Sequence, residues 1–259
     1  MIPRLFIDEP LVTASAVALS KAQAHYLKAV LRRELGAELR LFNGRDGEFQ
    51  GEIISLEKQG GAVQIIAQTR RIEGESDLAL AFAPVKRGAL EMIVQKATEM
   101  GVARIEPVNT VRTNVTRLNL ERLSAIALEA AEQSERLTLP PIMPMESLDK
   151  FLQEFPPTRC LIYCDEAGDD PDLPWGGPDG RAAPILEMLR GVGTSAITVL
   201  IGPEGGFTAE ERVAIRALNS AIPVNLGPRI LRADTAAIAA LTMVQAVCGD
   251  WHRGALEKK

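Results

Sequence analysis

Near its carboxyl end the chain repeats one device: a run of strand-forming residues, then Gly-Pro, then a polar turn that opens a helix. The first copy is Ile197-Thr-Val-Leu-Ile201 followed by Gly202-Pro-Glu-Gly-Gly-Phe-Thr208. The second is Ile222-Pro-Val-Asn-Leu226 followed by Gly227-Pro-Arg-Ile-Leu-Arg-Ala-Asp-Thr235. Strands that alternate with helices imply a mainly parallel sheet with helices on its faces. In such a sheet, ligands bind at the loops leaving the carboxyl ends of neighbouring strands. The pair of loops therefore predicts a pocket.

The alternation extends upstream as far as Leu78. Strand Leu78 to Ala83 leads to helix Ala89 to Met100, closed by Gly101, and strand Arg104 to Val108 leads to helix Leu120 to Glu135. Strand Leu161 to Cys164 precedes an acidic loop, Gly168 to Gly180, and then helix Pro184 to Leu189. Residues 1 to 72 read differently, as short strands near Arg4 to Ile7, Glu38 to Phe42, Glu48 to Leu56 and Ala62 to Gln68. Turn signals at Asn43-Gly-Arg-Asp-Gly47 and Gly60-Gly61 separate them. Ser20 caps one predicted helix, Lys21 to Leu31, with Ala24, Leu27, Val30 and Leu31 as its apolar stripe. The polar stretch Arg71 to Asp77 divides a small β-barrel domain, 1–72, from an α/β domain, 78–259.

Composition removes several classes of function. The 259 residues are 46% hydrophobic and 24% charged, an ordinary globular balance. Nothing resembles a leader peptide, and no window approaches a membrane span, so a cytoplasmic protein is expected. Cys160, Cys164 and Cys248 lack CxxC spacing, and only His25 and His252 are available, so neither a disulfide framework nor a metal centre is expected. The net charge of −5 would weigh against nucleic acid, but it is regional. Residues 137–196 hold ten acids and four bases, leaving 25 bases against 24 acids elsewhere. Basic patches remain possible on His25, Lys28, Arg32 and Arg33, on Arg45, and on Arg112.

Neither Gly-Pro loop has dinucleotide or P-loop spacing, and Glu204 would repel a phosphate. Gly205 and Gly206 permit close backbone approach. Such a cradle suits a ligand held by backbone groups and carrying positive charge. S-adenosylmethionine, with its sulfonium and amino groups, meets that description. Thr208 and Glu211 match a capping box, which makes their role structural.

Leu200-Ile-Gly-Pro-Glu-Gly-Gly-Phe207 and Leu226-Gly-Pro-Arg-Ile-Leu-Arg-Ala-Asp-Thr-Ala236 together resemble the signature pair of the RsmE family, rRNA N3-uridine methyltransferases of the SPOUT superfamily. The similarity continues through His25-Tyr-Leu-Lys-Ala-Val-Leu-Arg32, Phe42-Asn-Gly-Arg-Asp-Gly47, Lys86, Glu91 to Gly101 and Glu129 to Ser134. It implies a PUA-like RNA-binding barrel followed by a SPOUT-type parallel-sheet domain with a trefoil knot, and a homodimer. The implied cofactor is S-adenosylmethionine, and the implied substrate is one uridine of small-subunit ribosomal RNA, free or in a subunit. Leu200, Gly202, Pro203, Glu204 and Gly205, with Leu226, Gly227, Ile230, Leu231 and Arg232, would wrap the cofactor, the Leu and Ile side chains against adenine. The chain departs from the family at Asp234, where Glu is usual, and the acidic loop matches no motif.

Methylation of N3 requires that the imide proton leave, because the neutral imide nitrogen offers no free lone pair. Arg232 is the candidate for stabilising the uracil anion, and Asp234 or Glu204 for accepting the proton. A SPOUT enzyme with another RNA target, a non-catalytic RNA-binding assembly factor, and more distantly a nucleotide-using metabolic enzyme are the competing readings. The nearly uncharged final helix, Ala236 to Asp250, is expected either to be buried in its own domain or to be shared with a second subunit.

Overall fold

The computed structural model describes residues 2–72, 74–165, 182–193 and 196–251; the acidic loop 168–180 and His252 lie outside the described residues. Contacts divide the chain into two units. The first is Met1–Gly74 with Leu128–Leu139, and the second is Glu75–Ala127 with Pro140–Lys259.

In the first unit, β1 (Arg4–Phe6), β2 (Ala16–Leu19), β3 (Glu38–Phe42), β4 (Glu48–Glu57) and β5 (Gly60–Arg70) form a sheet in the order β1-β3-β4-β5-β2. The β1–β3 pair is parallel and the others are antiparallel. Register shifts along β4 and β5 increase the local twist and bend the long hairpin over a core of Leu5, Leu39, Leu41, Phe49, Ile53, Val63 and Ile65. The predicted turn at Asn43 is present. Asn43 Oδ1 accepts the amide N–H of Arg45 and of Asp46 at 3.1 and 2.8 Å. Gly47 closes that turn at φ +99°, where a Cβ would lie 2.2 Å from the Arg70 carbonyl oxygen.

The helix predicted over Lys21–Leu31 changes character midway. Helix α1 (Lys21–His25) is capped reciprocally by Ser20 and Gln23 and passes into a π turn, Tyr26–Val30, in which the Leu31 N–H reaches back to the Tyr26 carbonyl. The extra residue in that turn breaks the 3.6-residue period. Ala24 and Leu27 stay buried, but Val30, expected in the apolar stripe, is 61% exposed. Arg32 then ends the segment at φ +52°.

Residues 128–139 join this unit through Arg4, whose side chain is 7% exposed. Its guanidinium donates to the carbonyls of Ala131 and Glu132, acceptors in the last turn of a helix, and to that of Arg136 just beyond it, while pairing with Glu48 at 2.8 Å and lying over the Phe42 ring.

The second unit alternates strand and helix: β6 (Leu78–Phe82), α2 (Arg87–Glu99), β7 (Arg104–Asn109), α3 (Leu120–Gln133, which ends in the first unit), β8 (Glu146–Ser147), α4 (Leu148–Gln153) and β9 (Cys160–Cys164). After them come β10 (Ala183–Pro184), α5 (Ile185–Leu189), β11 (Ile197–Ile201), α6 (Ala209–Arg216), β12 (Ala221–Asn225) and α7 (Ala233–Val247). The sheet runs β10-β12-β9-β11-β6-β7-β8, and every pairing is parallel. Central strands β6 and β11 are buried at every position, as a sheet covered on both faces requires. One face packs Leu80, Phe82, Val199 and Ile201 against α2 and α7; the other packs Ala81, Tyr163 and Leu200 against α4 and α6. Helix α7 begins three residues before the expected start. It buries Ala237, Ala240, Leu241 and Val244 in its own unit.

Arg159, 5% exposed, lies at the amino ends of three adjacent strands. It donates to Thr198 Oγ1 at 2.6 Å, to the Ile197 carbonyl at 2.8 Å, and to the Asp77 carbonyl and carboxylate at 3.0 and 2.8 Å. Replacing it by Met leaves those buried acceptors without their donor, and unfolding in urea is expected to show a loss of about 3 kcal/mol. Asp77→Asn is expected to change stability by under ~1 kcal/mol, because that carboxylate is 62% exposed. Equal losses in the two variants would remove the buried network as the cause.

Candidate functional site

The strands β9, β11 and β12 end side by side, and Cys164 and Asp165 at the end of β9, with the loops that leave β11 and β12, line a cavity of about 440 Å³ within the second unit. That volume is in the range of small-molecule sites. Ile201, Val224, Leu226, Leu231 and Ala236 supply apolar wall, while Lys86, Asp165, Glu204, Asn225, Arg229 and Arg232 supply polar groups.

Each loop has a local cause for its path. In the first, Gly202 must lack a side chain because Phe207 folds back on it: a Cβ there would lie 2.7 Å from the ring. Phe207 in turn packs edge-on against Tyr163, at 5.3 Å between centroids. Gly206, at φ +68°, completes the turn by donating its N–H to the Pro203 carbonyl. The capping box then starts α6, with Thr208 and Glu211 each accepting the other's backbone N–H. In the second loop, Asn225 Oδ1 accepts the Gly227 N–H at 3.0 Å, and Gly227 sits at φ +108°.

Gly202, Pro203, Glu204, Leu226, Gly227, Ile230, Leu231 and Arg232 all line the cavity. Two other expected cofactor residues do not. The Leu200 side chain points to the opposite face of β11, fully buried with Tyr163 and Phe207, and its neighbour Ile201 takes the place at the wall. Gly205 backs onto Arg112, whose Cδ would be 3.3 Å from an added Cβ, so the glycine makes room for that side chain. Of the candidate catalytic groups, Arg232 is the residue before α7, where its side chain makes no capping bond, and Glu204 is exposed at the cavity. Asp234 lies in the first turn of α7, where its Oδ1 accepts the Thr235 N–H at 2.8 Å; it is not part of the wall.

In the sequence Asp165 is one acid among several between 165 and 179, with nothing within that run to set it apart. Its side chain is 2% exposed, and it accepts from Arg212 at 3.1 Å and from Arg216 at 2.8 Å. The signal was a carboxylate directly after a strand, facing arginines four apart on one helix. The sequence assigns Lys86 no role, and it marks Asn225 only as part of a strand and Arg229 only as part of the loop after it.

Of the residues expected on RNA, His25, Lys28 and Arg32 are exposed along α1 and the turn that follows it, and Arg33 is half-buried beside them. Arg45 is exposed on the Asn43 turn and bonds the Asp8 carbonyl. Arg112 belongs to the second unit and bonds the first Gly-Pro loop. Burial pushes the Cys160 thiol up to about 11 and raises that of Cys248, which makes both packing groups and not nucleophiles. Among the described residues, no three His, Cys, Asp or Glu side chains are grouped to hold a metal, and no helix is long and apolar enough to cross a membrane.

Residues 73–245 match the RNA methyltransferase domain family, and residues 19–66 match the RNA methyltransferase PUA domain. Fold and site together define an RNA methyltransferase with an appended PUA domain. A relative in Rickettsia conorii, ribosomal RNA small subunit methyltransferase E, is 34% identical over 93% of this chain and 94% of its own. Its counterpart in Synechocystis is 30% identical over 94% and 77%. The enzyme of that name from Neisseria gonorrhoeae, solved bound to S-adenosyl methionine, superposes with a TM-score of 0.81 at 27% identity, covering 97% of this chain and 100% of that one. A putative methyltransferase from Legionella pneumophila, solved with the same cofactor, gives 0.80 at 30% identity, over 96% and 99%. The chain belongs to the ribosomal RNA small subunit methyltransferase E family.

Gly202→Ala is expected to destabilise the protein by about 2 kcal/mol through the collision with Phe207, as overpacking does. In a Phe207→Leu background the same change should lose most of its effect. Thermal unfolding of the four proteins checks this; additive losses would mean that Phe207 is not the obstacle.

Proposed function

We propose that this protein transfers the methyl group of S-adenosylmethionine to N3 of a uridine in 16S ribosomal RNA, working in the cytoplasm as a homodimer. The observation that carries this reading is the cavity walled by both Gly-Pro loops at the carboxyl ends of parallel strands, in a chain of this family. A trefoil knot through the last strands belongs to the same reading. The return of β12 to the far side of β9 from β11 supports it.

The wall suits this cofactor in kind as well as size. Ile201, Leu226 and Leu231 offer apolar surface to an adenine, and Glu204 offers a carboxylate to a cation. When bound, S-adenosylmethionine supplies a methyl group activated by its positively charged sulfur. Arg232, at the start of α7, places a permanent cation where a uracil anion can be stabilised. Glu204, exposed at the cavity, is the better placed carboxylate to take the N3 proton; Asp234 is occupied with its own helix end. In the first unit, His25, Lys28, Arg32, Arg33 and Arg45 are assigned to the RNA backbone, where cations position the substrate without selecting sequence. Arg32→Ala should weaken RNA binding and lower its salt dependence by about one counterion, measured by titration across salt concentrations.

In the direct test, Arg232→Ala, held at a concentration of S-adenosylmethionine that calorimetry shows to be saturating, loses methyl transfer to small subunits by ~10²–10³-fold. Nucleoside analysis of the product distinguishes N3 from a ribose oxygen as acceptor. Unchanged turnover in Arg232→Ala would remove that residue from the mechanism. A folded wild type that binds no S-adenosylmethionine, with or without RNA, would leave an RNA-binding assembly factor as the better account.

A further inference from the structure

Arg112 and Gly205 were expected on different ligands, RNA and cofactor, yet they meet. Arg112 Nη1 donates to the Gly205 carbonyl at 2.6 Å. Arg112 stands at the apex of the turn that leaves β7, and that turn is closed by two bonds between its ends. Thr110 N–H donates to Thr113 Oγ1 at 3.0 Å, and Thr113 N–H donates to the Thr110 carbonyl at 3.1 Å.

A second tie runs alongside the first. Glu211, 8% exposed, accepts the Thr208 N–H through Oε2 at 2.8 Å, which completes the cap of α6. Its other oxygen, Oε1, accepts the Val111 N–H at 2.7 Å. One carboxylate thus serves the helix that follows the first Gly-Pro loop and, through the residue next to Arg112, the turn that grips that loop. Glycine at 205 fits the same arrangement, since a side chain there would press on the Arg112 stem. Neither Arg112 nor Glu211 lines the cavity.

We infer that Arg112 and Glu211 are positioning residues, a clasp that holds residues 202–207 in the form that walls the cavity, so that affinity for the methyl donor depends on both without either touching it. The inference rests on the cavity being the S-adenosylmethionine site, and it withdraws Arg112 from the RNA phosphates.

Glu211→Gln separates this role from simple capping. An amide side chain has one acceptor oxygen. If it caps Thr208, its NH₂ faces the Val111 N–H, and donor meets donor. Arg112→Ala cuts the other tie and touches no helix cap. Each variant is expected to raise the dissociation constant for S-adenosylmethionine about tenfold, and the pair together by little more, because both ties hold one loop. The KM for small subunits should stay within twofold, and Arg112→Lys, which keeps a donor, should recover most of the affinity. An unchanged dissociation constant in Arg112→Ala overturns the inference. So does a raised KM for RNA with the cofactor constant unmoved, which would make Arg112 a phosphate ligand. Hydrogen exchange at the Val111 and Gly206 amides of the free protein gives a readout without cofactor: faster exchange in Glu211→Gln supports the clasp, and unchanged exchange overturns it. A wild type that binds no S-adenosylmethionine would overturn the functional reading, and exchange would still decide whether the clasp exists.

Discussion

Strands β6, β9 and β11 are each five residues long, and each begins beside the Arg159 guanidinium. The pairing register follows: Ile197 lies opposite both Leu78 and Cys160. Strands of equal length that start level also end level, so Asp165 and the loop after Ile201 lie together, and β12, paired with β9, brings the loop after Asn225 beside them. The cavity at one end of the sheet is thus set by a buried ion at the other. The guanidinium spreads five donors over three nitrogens and bonds four acceptors at once, two carbonyls, a hydroxyl and a carboxylate, which the three donors of a single lysine nitrogen could not match.

The same sheet explains why some of the site was legible in the sequence and some was not. Gly-Pro after a strand and a capping box before a helix are local chemistry, and both loops, both strands and helix α6 lie where those signals put them. Which side chains of β11 face the ligand is not local. In Ile197-Thr-Val-Leu-Ile201 nearly every residue is apolar because both faces of the sheet are covered, so no alternation records that Leu200 faces α6 and Ile201 the cavity. Arg112 is hidden for a related reason. An exposed arginine in a loop reads as a surface charge, and its bond to Gly205 joins residues 93 positions apart.

Other departures arise where one element carries two periodicities or two allegiances. The stripe of the first helix holds through Leu27 and fails at Val30 because a π turn inserts a residue. Residues 128–139 continue a helix of the second unit yet pack with the first, through the Arg4 bonds to their carbonyls. The strand Ala16–Leu19 and the two-residue strands Glu146–Ser147 and Ala183–Pro184 are too short to show a period, and are defined by their partners.

The charges around the cavity bear on how it could prefer a cation. Among the described residues Asp165 is the more deeply buried of its two carboxylates, and Arg212 and Arg216 both reach it, so its charge is already engaged. Arg229 and Arg232 add two more cations at the wall, with Lys86 close by, against the exposed Glu204. At that mouth water and salt weaken any long-range attraction. A positively charged ligand therefore gains little at long range and must gain from short contacts: a carboxylate oxygen or backbone carbonyl against the charged atom, and apolar wall against the rest. Short contacts fail when a loop shifts by an ångström. That places the demand for rigidity on residues 202–207, the loop bounded by Phe207 on Gly202 and by Arg112 on Gly205.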